Sequence, residues 1–220
     1  MKLSFLLEQA RGGELAVFSD KDKTDKTIVS YINMALIALY NRFQLSTEEA
    51  IVTLRPDLAK TLYTLDAADT DVRVGGQPMP EDDFKSIVYV LDDGGREVPV
   101  NNEKDLMSIF TTSYNQIQVP LLSEQTYLSV IYRRNPKLVV FVDAGDGKAT
   151  EQTVDIPLQL LEPMLHYIGY RAHGAINGSI QAEASTHYTR YTAACDAREK
   201  VGSLSSDDTA PTSVQEKGYV

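Results

Sequence analysis

The sequence predicts an α+β fold: a helical bundle from both chain ends, an inserted, mainly antiparallel β domain, and an extended C-terminal tail. Three observations lead there. Apolar residues recur at helical spacing near both ends of the 220-residue chain. Between them the apolar runs are short, mostly β-branched or aromatic, and several are bounded by turn residues. Residues 202–220, GSLSSDDTAPTSVQEKGYV, carry no apolar period. The expected division is 1–43 with 157–201 as the bundle, 44–156 as the inserted β domain, and 202–220 as the extension.

The first element is a short helix over residues 2–10, with Leu3, Leu6, Leu7 and Ala10 on one face. Gly12-Gly13 breaks it, and the polar run SDKDKTDK follows. In TIVSYINMALIALYNRF, Ile28, Ile32, Ala35, Leu39 and Phe43 share a face, and Asp25 suits the N-cap. After Phe43 the period changes. EAIVTLR (49–55), LYTL (62–65), FKSIVYVLD (84–92), REVPV (96–100), QIQVP (116–120), TYLSVIYR (126–133) and KLVVFVD (137–143) read as strands. The first has a second reading as a short helix ended by Pro56, because Ser46 and Glu49 have capping-box spacing. YLSVIYRRNPKLVVFVD reads as a hairpin turning at Asn135-Pro136. NNEKDLMSIFTT (101–112) predicts a short helix capped by Asn101 or Asn102.

From Pro157 the helical period returns. Leu158, Leu161, Leu165, Ile168 and Ala172 make the expected buried stripe. Pro157 suits a first turn, where a missing N–H costs nothing. Pro163 lies further in, removes a ladder bond and predicts a bend. HGAINGS then precedes a last helix over about 179–201, with Ile180, Ala184, His187, Tyr191 and Ala194 on one face. Packing of the helix pair is therefore expected to rest on Leu161, Leu165, Ile168, His187 and Tyr191. Residues 202–220 cannot bury enough surface to order themselves.

Composition excludes several functions. A formal charge of −10 argues against binding nucleic acid by phosphate neutralisation. Part of the acid is concentrated: Asp66, Asp69, Asp71, Glu81, Asp82 and Asp83 face only Arg73 within 66–83. That stretch reads as a solvated loop, or as a surface that repels a polyanion or meets a basic partner. No segment has the length and apolarity of a membrane span. The N-terminal apolar run is cut at Glu8, so it reads as an amphipathic helix rather than a signal peptide. Cys195, the single cysteine, excludes an internal disulfide, fits a reducing compartment and reads as a small buried hydrophobe.

All three histidines fall within LEPMLHYIGYRAHGAINGSIQAEASTHYTRY (161–191). His166 and His173 sit near one edge of their helix, about 110–130° from the centre of its stripe, which predicts a solvent-facing flank. His187 falls within the stripe of its own helix. Zinc-binding helices pair histidines at i, i+4; here Tyr170 and Tyr191 occupy those places. Glu162 and Glu183 precede His166 and His187 by one turn, an ordinary helix-side contact. No metal and no cofactor are expected. DAGDGKAT (143–150) departs from the phosphate-loop and calcium-loop patterns and reads as a turn. No G-x-S-x-G nucleophile motif occurs. The tyrosines of MLHYIGY and HYTRY suit either an intersubunit contact or an ordinary helix–helix core.

The layout carries a resemblance. The N-terminal helix with TIVSYINMALIALYNRF, the middle SIFTTSYNQIQVP and LSVIYR, and the closing VDIPLQLLEPMLHYIGYRAHGAINGSIQAEASTHYTRYTAA resemble the head-to-tail adaptor proteins of short-tailed bacteriophages. Pro157, Tyr170, Arg171, Ala172, His187, Tyr188 and Tyr191 stand at matching places. The likeness covers about 1–201; the acidic stretch 66–83 matches no part of it. It implies a virion structural protein of the tail or neck, made in the host bacterial cytoplasm, and no enzyme. Its partners would be copies of itself in a ring (commonly twelve), the portal protein, the tail nozzle protein and, as further neighbours, tail fibres. DNA would leave through the channel without specific binding. Residues 202–220 are similar to extensions that reach onto the portal, with Tyr219, Val220 and Val214 as docking contacts. Two other readings stay open: a virion-associated cell-wall hydrolase, which needs two carboxylates in a groove, and a monomeric binding module.

Overall fold

A computed structural model describes residues 1–121, 125–145, 147–176 and 181–200. The fold is α+β, with helices and antiparallel sheets, in two compact units: residues 1–45 with 136–220, and residues 46–135. The sequence places 44–156 in one inserted domain; residues 136–156 instead group with the helical unit. Their hydrogen bonds to Asn33, to Tyr40 and to the N-terminal residues explain why.

In the helical unit, α1 spans Leu3–Gly12 and α2 Asp25–Arg42. α1 buries Leu3, Leu6, Leu7 and Ala10, the face set by its spacing. α2 buries Ile28, Ile32, Ala35, Leu36 and Leu39. Its N-cap is Thr24, whose hydroxyl accepts from the Thr27 N–H, and not Asp25. Asp25 is the first helical residue. It is buried and held by Arg11 and by the Ala149 N–H at 2.7 Å.

Residues 136–156 run as an extended strap along these helices rather than as the second arm of a hairpin with 126–133. The Asn33 side-chain amide donates to the Val139 carbonyl (2.9 Å) and accepts from its N–H (2.8 Å). Tyr40 donates its hydroxyl to the Asp155 carbonyl at 3.0 Å. Lys2 bridges Thr153, and the Met1 ammonium donates to the Val154 carbonyl at 2.7 Å. The β-branched run 137–143 thus satisfies its amides on side chains and neighbouring loop, so no strand ladder forms there. Within DAGDGKAT, Asp143 and Ala149 form an isolated antiparallel bridge, as a turn requires.

A 3₁₀ turn over Leu158–Leu160 precedes α3 (Leu161–Ile176), and α4 spans Gln181–Lys200. α3 starts later than its periodicity suggests. Pro163 therefore lies in the first turn, where no ladder bond is lost and no bend is needed. The late start also changes which residues are buried. Leu158 is exposed, whereas Leu160, Met164, Ile168 and Ala172 are buried. Leu161 and Leu165 are partly buried at the edge of the same core. That core joins residues of α1, α2, the strap, α3 and α4, including Leu6, Ile32, Val154, Ile168 and Tyr191. Burying each large apolar side chain contributes about 1.5–3 kcal/mol.

The β unit holds β1 (Thr47–Thr53), β2 (Leu62–Thr64), β3 (Val72–Val74), β4 (Gln77–Pro78), β5 (Phe84–Leu91), β6 (Glu97–Val98), β7 (Phe110–Ser113), β8 (Gln116–Gln118) and β9 (Tyr127–Arg134). Its six-stranded sheet runs β4-β3-β1-β9-β5-β6 and its three-stranded sheet β2-β8-β7, with all named pairings antiparallel. The segment read as 49–55 lies in strand β1 up to Thr53, and the alternative helix does not form. Ala50, Val52, Val90, Leu128, Val130 and Tyr132 face the core at every second position. The helix expected over 101–112 is absent. Side chains of Asn102, Asp105 and Ser108 accept the Lys104, Met107 and Asn102 N–H groups, which favours turns over a helix.

The acidic stretch 66–83 is not simply solvated. Asp69 and Asp71 pair with Lys60, and Asp71 also with Arg55. The Lys60 ammonium beside Asp71 holds that carboxyl below the usual range. Asp83 is buried; it accepts from the Tyr132 hydroxyl at 2.6 Å and pairs with Arg134 at 2.9 Å. Burial, and then this bond to Asp83, pushes the Tyr132 hydroxyl up, so it remains a donor. Replacing Asp83 by Ala should cost about 1–3 kcal/mol, because it leaves the buried Tyr132 hydroxyl without its acceptor and Arg134 with Glu48 as its remaining ion-pair partner. Glu48→Ala removes a more exposed partner of Arg134 (2.8 Å) and should cost below about 1 kcal/mol. Denaturation followed by circular dichroism checks the difference.

Candidate functional site

Two of the three histidines, His166 and His187, converge on one carboxylate that the sequence reading passed over, Glu14. The Gly13 N–H closes α1 by donating to the Gln9 carbonyl at 3.0 Å, and the Leu15 N–H returns to Ala10 at 3.0 Å. Leu15 is buried by this fold-back. Glu14, between them, reaches both closing helices. Its Oε1 lies 2.9 Å from His166 Nδ1 on α3, and its Oε2 lies 3.0 Å from His187 Nδ1 on α4. One donor atom from each of Glu14, His166 and His187 lies within 4.8 Å of the other two.

Gly169 makes the approach possible. A Cβ there would stand 2.9 Å from His187 Nδ1 and 3.2 Å from Glu14 Cβ. The need is for space, which any side chain would fill. His173 completes the group: its ring stacks on His187 with centroids 4.7 Å apart, and its centroid lies 4.6 Å from that of Phe18. It is 4% exposed, which overturns the solvent-facing flank expected for it. The cause is the segment after α1, whose Glu14 and Phe18 meet α3 where periodicity alone left it bare. The expected one-turn pairs also rearrange. Glu183 approaches His173 at 3.0 Å, and Glu162 pairs with Arg198 at 3.3 Å.

The electrostatics favour neutral imidazole at His187. Burial pushes its pKa down from the ordinary histidine value; Glu14 opposes this, while His173, Arg190 and His166 add to it. Among the described residues, Nδ1 of His173 and Nδ1 of His187 make no hydrogen bond, although each lies about 3.0 Å from a carboxylate oxygen. A cleft lined by Glu14, Phe18, Asp22, His173, Glu183 and His187 reaches the group from solvent.

The other residues singled out from sequence fall as follows. Ile168 and Tyr191 are buried in the helical core, Leu161 and Leu165 flank it, and His187 belongs to the polar group rather than to an apolar stripe. Tyr167, Tyr170, Tyr188 and Tyr191 contact one another across α3 and α4 with centroids 5.1–5.9 Å apart. Cys195 is fully buried, and burial pushes its thiol up to about 11, which keeps it protonated and unreactive. Val214, Tyr219 and Val220 lie outside the described residues. Glu14, Phe18 and Gly169 were missed. Only Gly169 left a trace: a glycine inside a helical pattern costs about 1 kcal/mol against alanine and so points to a packing need.

The family model described as SU10 adaptor protein matches residues 6–215. The chain belongs to that family, and the likeness to phage head-to-tail adaptors read from its helices and strands stands. It is a phage adaptor, a structural class located in the virion rather than a known class of enzyme. No curated protein matches the chain. No helix among the described residues is long and apolar enough to cross a membrane.

Gly169→Ala should destabilise the protein by about 1–3 kcal/mol, because α3 and α4 must separate to admit the methyl group. Gly174→Ala, on the same helix with nothing within 4 Å, should instead stabilise it by about 0.4–1 kcal/mol. Thermal unfolding of the two variants checks the opposite signs.

Proposed function

We propose that this adaptor is a ring subunit that joins the portal to the tail nozzle around the DNA exit channel. The observation that carries the reading is the family match, which spans nearly the whole chain. Three features support it. The outward residues of the strap, Leu138, Val140 and Val142, are 51%, 64% and 50% exposed and alternate with the buried Val139. Such an apolar row suits contact with a neighbour. Tyr188 is exposed at the edge of the tyrosine group, where a ring can pack and its hydroxyl stay wet. The net charge of −10 leaves DNA free to pass an acidic wall without sticking.

In this reading the segments 1–43 and 157–201 form the bundle that meets copies of itself. The segment 202–220 docks on the portal through Val214, Tyr219 and Val220. Ordering such a segment costs free energy that only the docked interface offsets. Many equivalent docking sites around a ring add avidity.

The purified chain, mixed with purified portal, should form particles that sediment together and show a ring in electron micrographs. Deleting 202–220 should leave the circular dichroism spectrum intact and weaken attachment. A truncated chain that attaches as well as the full one contradicts the role of the tail. A full chain that stays monomeric beside portals contradicts the ring.

A further inference from the structure

We infer that Glu14, His166 and His187 form a binding site for one divalent transition-metal ion of the zinc type, which ties the segment after α1 to α3 and α4. Two imidazole nitrogens and one carboxylate oxygen are the donor set that zinc accepts, with three protein ligands and water in the fourth tetrahedral position. The donors already gather: 2.9 Å from Glu14 Oε1 to His166 Nδ1, 3.0 Å from Oε2 to His187 Nδ1, and all three within 4.8 Å. Donors about 2.0–2.1 Å from a tetrahedral ion lie a little over 3 Å from one another, so small side-chain rotations suffice.

The local chemistry points to a ligand as well as to a carboxylate clamp. His187 Nδ1 is buried without a hydrogen bond among the described residues, a cost that coordination would remove. The Glu14 carboxylate offers two oxygens to two imidazoles, yet only His166 is aligned to hydrogen-bond with it. Coordination through Nδ1 requires the His166 proton to sit on Nε2, which leaves the Nδ1 lone pair for the ion. The cleft supplies an entry path, and Asp22 and Glu183 on its wall draw a cation, against the opposing charge of Arg190 near His187. His173, stacked on His187, fixes the ring plane. Gly169 leaves the room in which His187 and Glu14 meet.

The three donors come from three elements that are far apart in sequence. The ion would act as a structural clip on the helical unit, not as a catalyst. This does not depend on the ring, so the two readings fail separately.

The test uses the untagged full chain, freed of metal with a chelator and titrated with zinc against a chromogenic competitor. One zinc ion per chain is expected, together with a thermal midpoint that rises with zinc and falls again on chelation. Glu14→Gln and His166→Gln should each weaken zinc at least about tenfold, since even outer-shell losses cost about 10–100-fold. Glu162→Gln, on the same helix but paired with Arg198, should bind as the parent does. The parent protein gives a reading free of folding defects: zinc should shift the Nδ1 resonances of His166 and His187 in ¹⁵N spectra of the imidazoles. Absence of saturable zinc binding, unmoved Nδ1 resonances, or parental affinity in the Glu14 and His166 variants would overturn the site.

Discussion

The helical unit depends on the return of the chain after residue 135. An amphipathic helix must cover its apolar face, and α1 and α2 cannot do so alone. Their partners arrive a hundred residues later. The strap delivers them by hydrogen bonds that leave little choice of register. Asn33 grips Val139 from both sides, Tyr40 holds Asp155, and the first residues of the chain pair with Thr153 and Val154. Val154, Ile156, Leu160 and Met164 then enter the core in succession. Arg42, at the end of α2, closes the far side on Asp196 and Glu199 of α4. A β unit with its own apolar core can be inserted in such an arrangement because the bonds that fix the helices lie outside it.

Glu14 is the polar counterpart of that closure. One carboxylate stands between α3 and α4 and belongs to neither. Its two contacts fix where the N-terminal segment meets the closing helices, and Gly169 sets how close they come. Buried polar contacts of this kind add little net stability but specify one arrangement among several apolar packings. In the proposed ring, a subunit that presents the same faces to successive neighbours would use that kind of definition. The exposed apolar row of the strap lies on the same unit, so its position is set by the same bonds.

Much of the fold was legible in the sequence where periodicity spoke alone. The face of α1, the strands β5 and β9, and the helical return after Pro157 follow from spacing. Two of the misreadings share an origin in competition for backbone hydrogen bonds, and a third lies in where a helix begins. KLVVFVD has the composition of a strand, but Asn33 and Gln152 take its amides. NNEKDLMSIFTT has helix formers, but its own Asn, Asp and Ser side chains hold the amides in turns. Leu158 fits the stripe of α3, but the helix begins three residues later and turns it outward. The histidine group was hidden for a related reason. His166 and His187 share no helical spacing, and the residue that joins them lies 152 positions before His166. The acidic stretch looked unbalanced because Lys60, Arg55 and Arg134 lie outside it.

The central claim is that this chain works by position, as one of several copies between larger virion parts. Electron cryo-microscopy of the neck in virions that carry it tests that claim most directly. The account predicts density for the helical unit repeated about the channel axis, between portal and nozzle. Virions whose neck ring is built entirely from another chain, with this one absent or bound as a solitary copy, would contradict it.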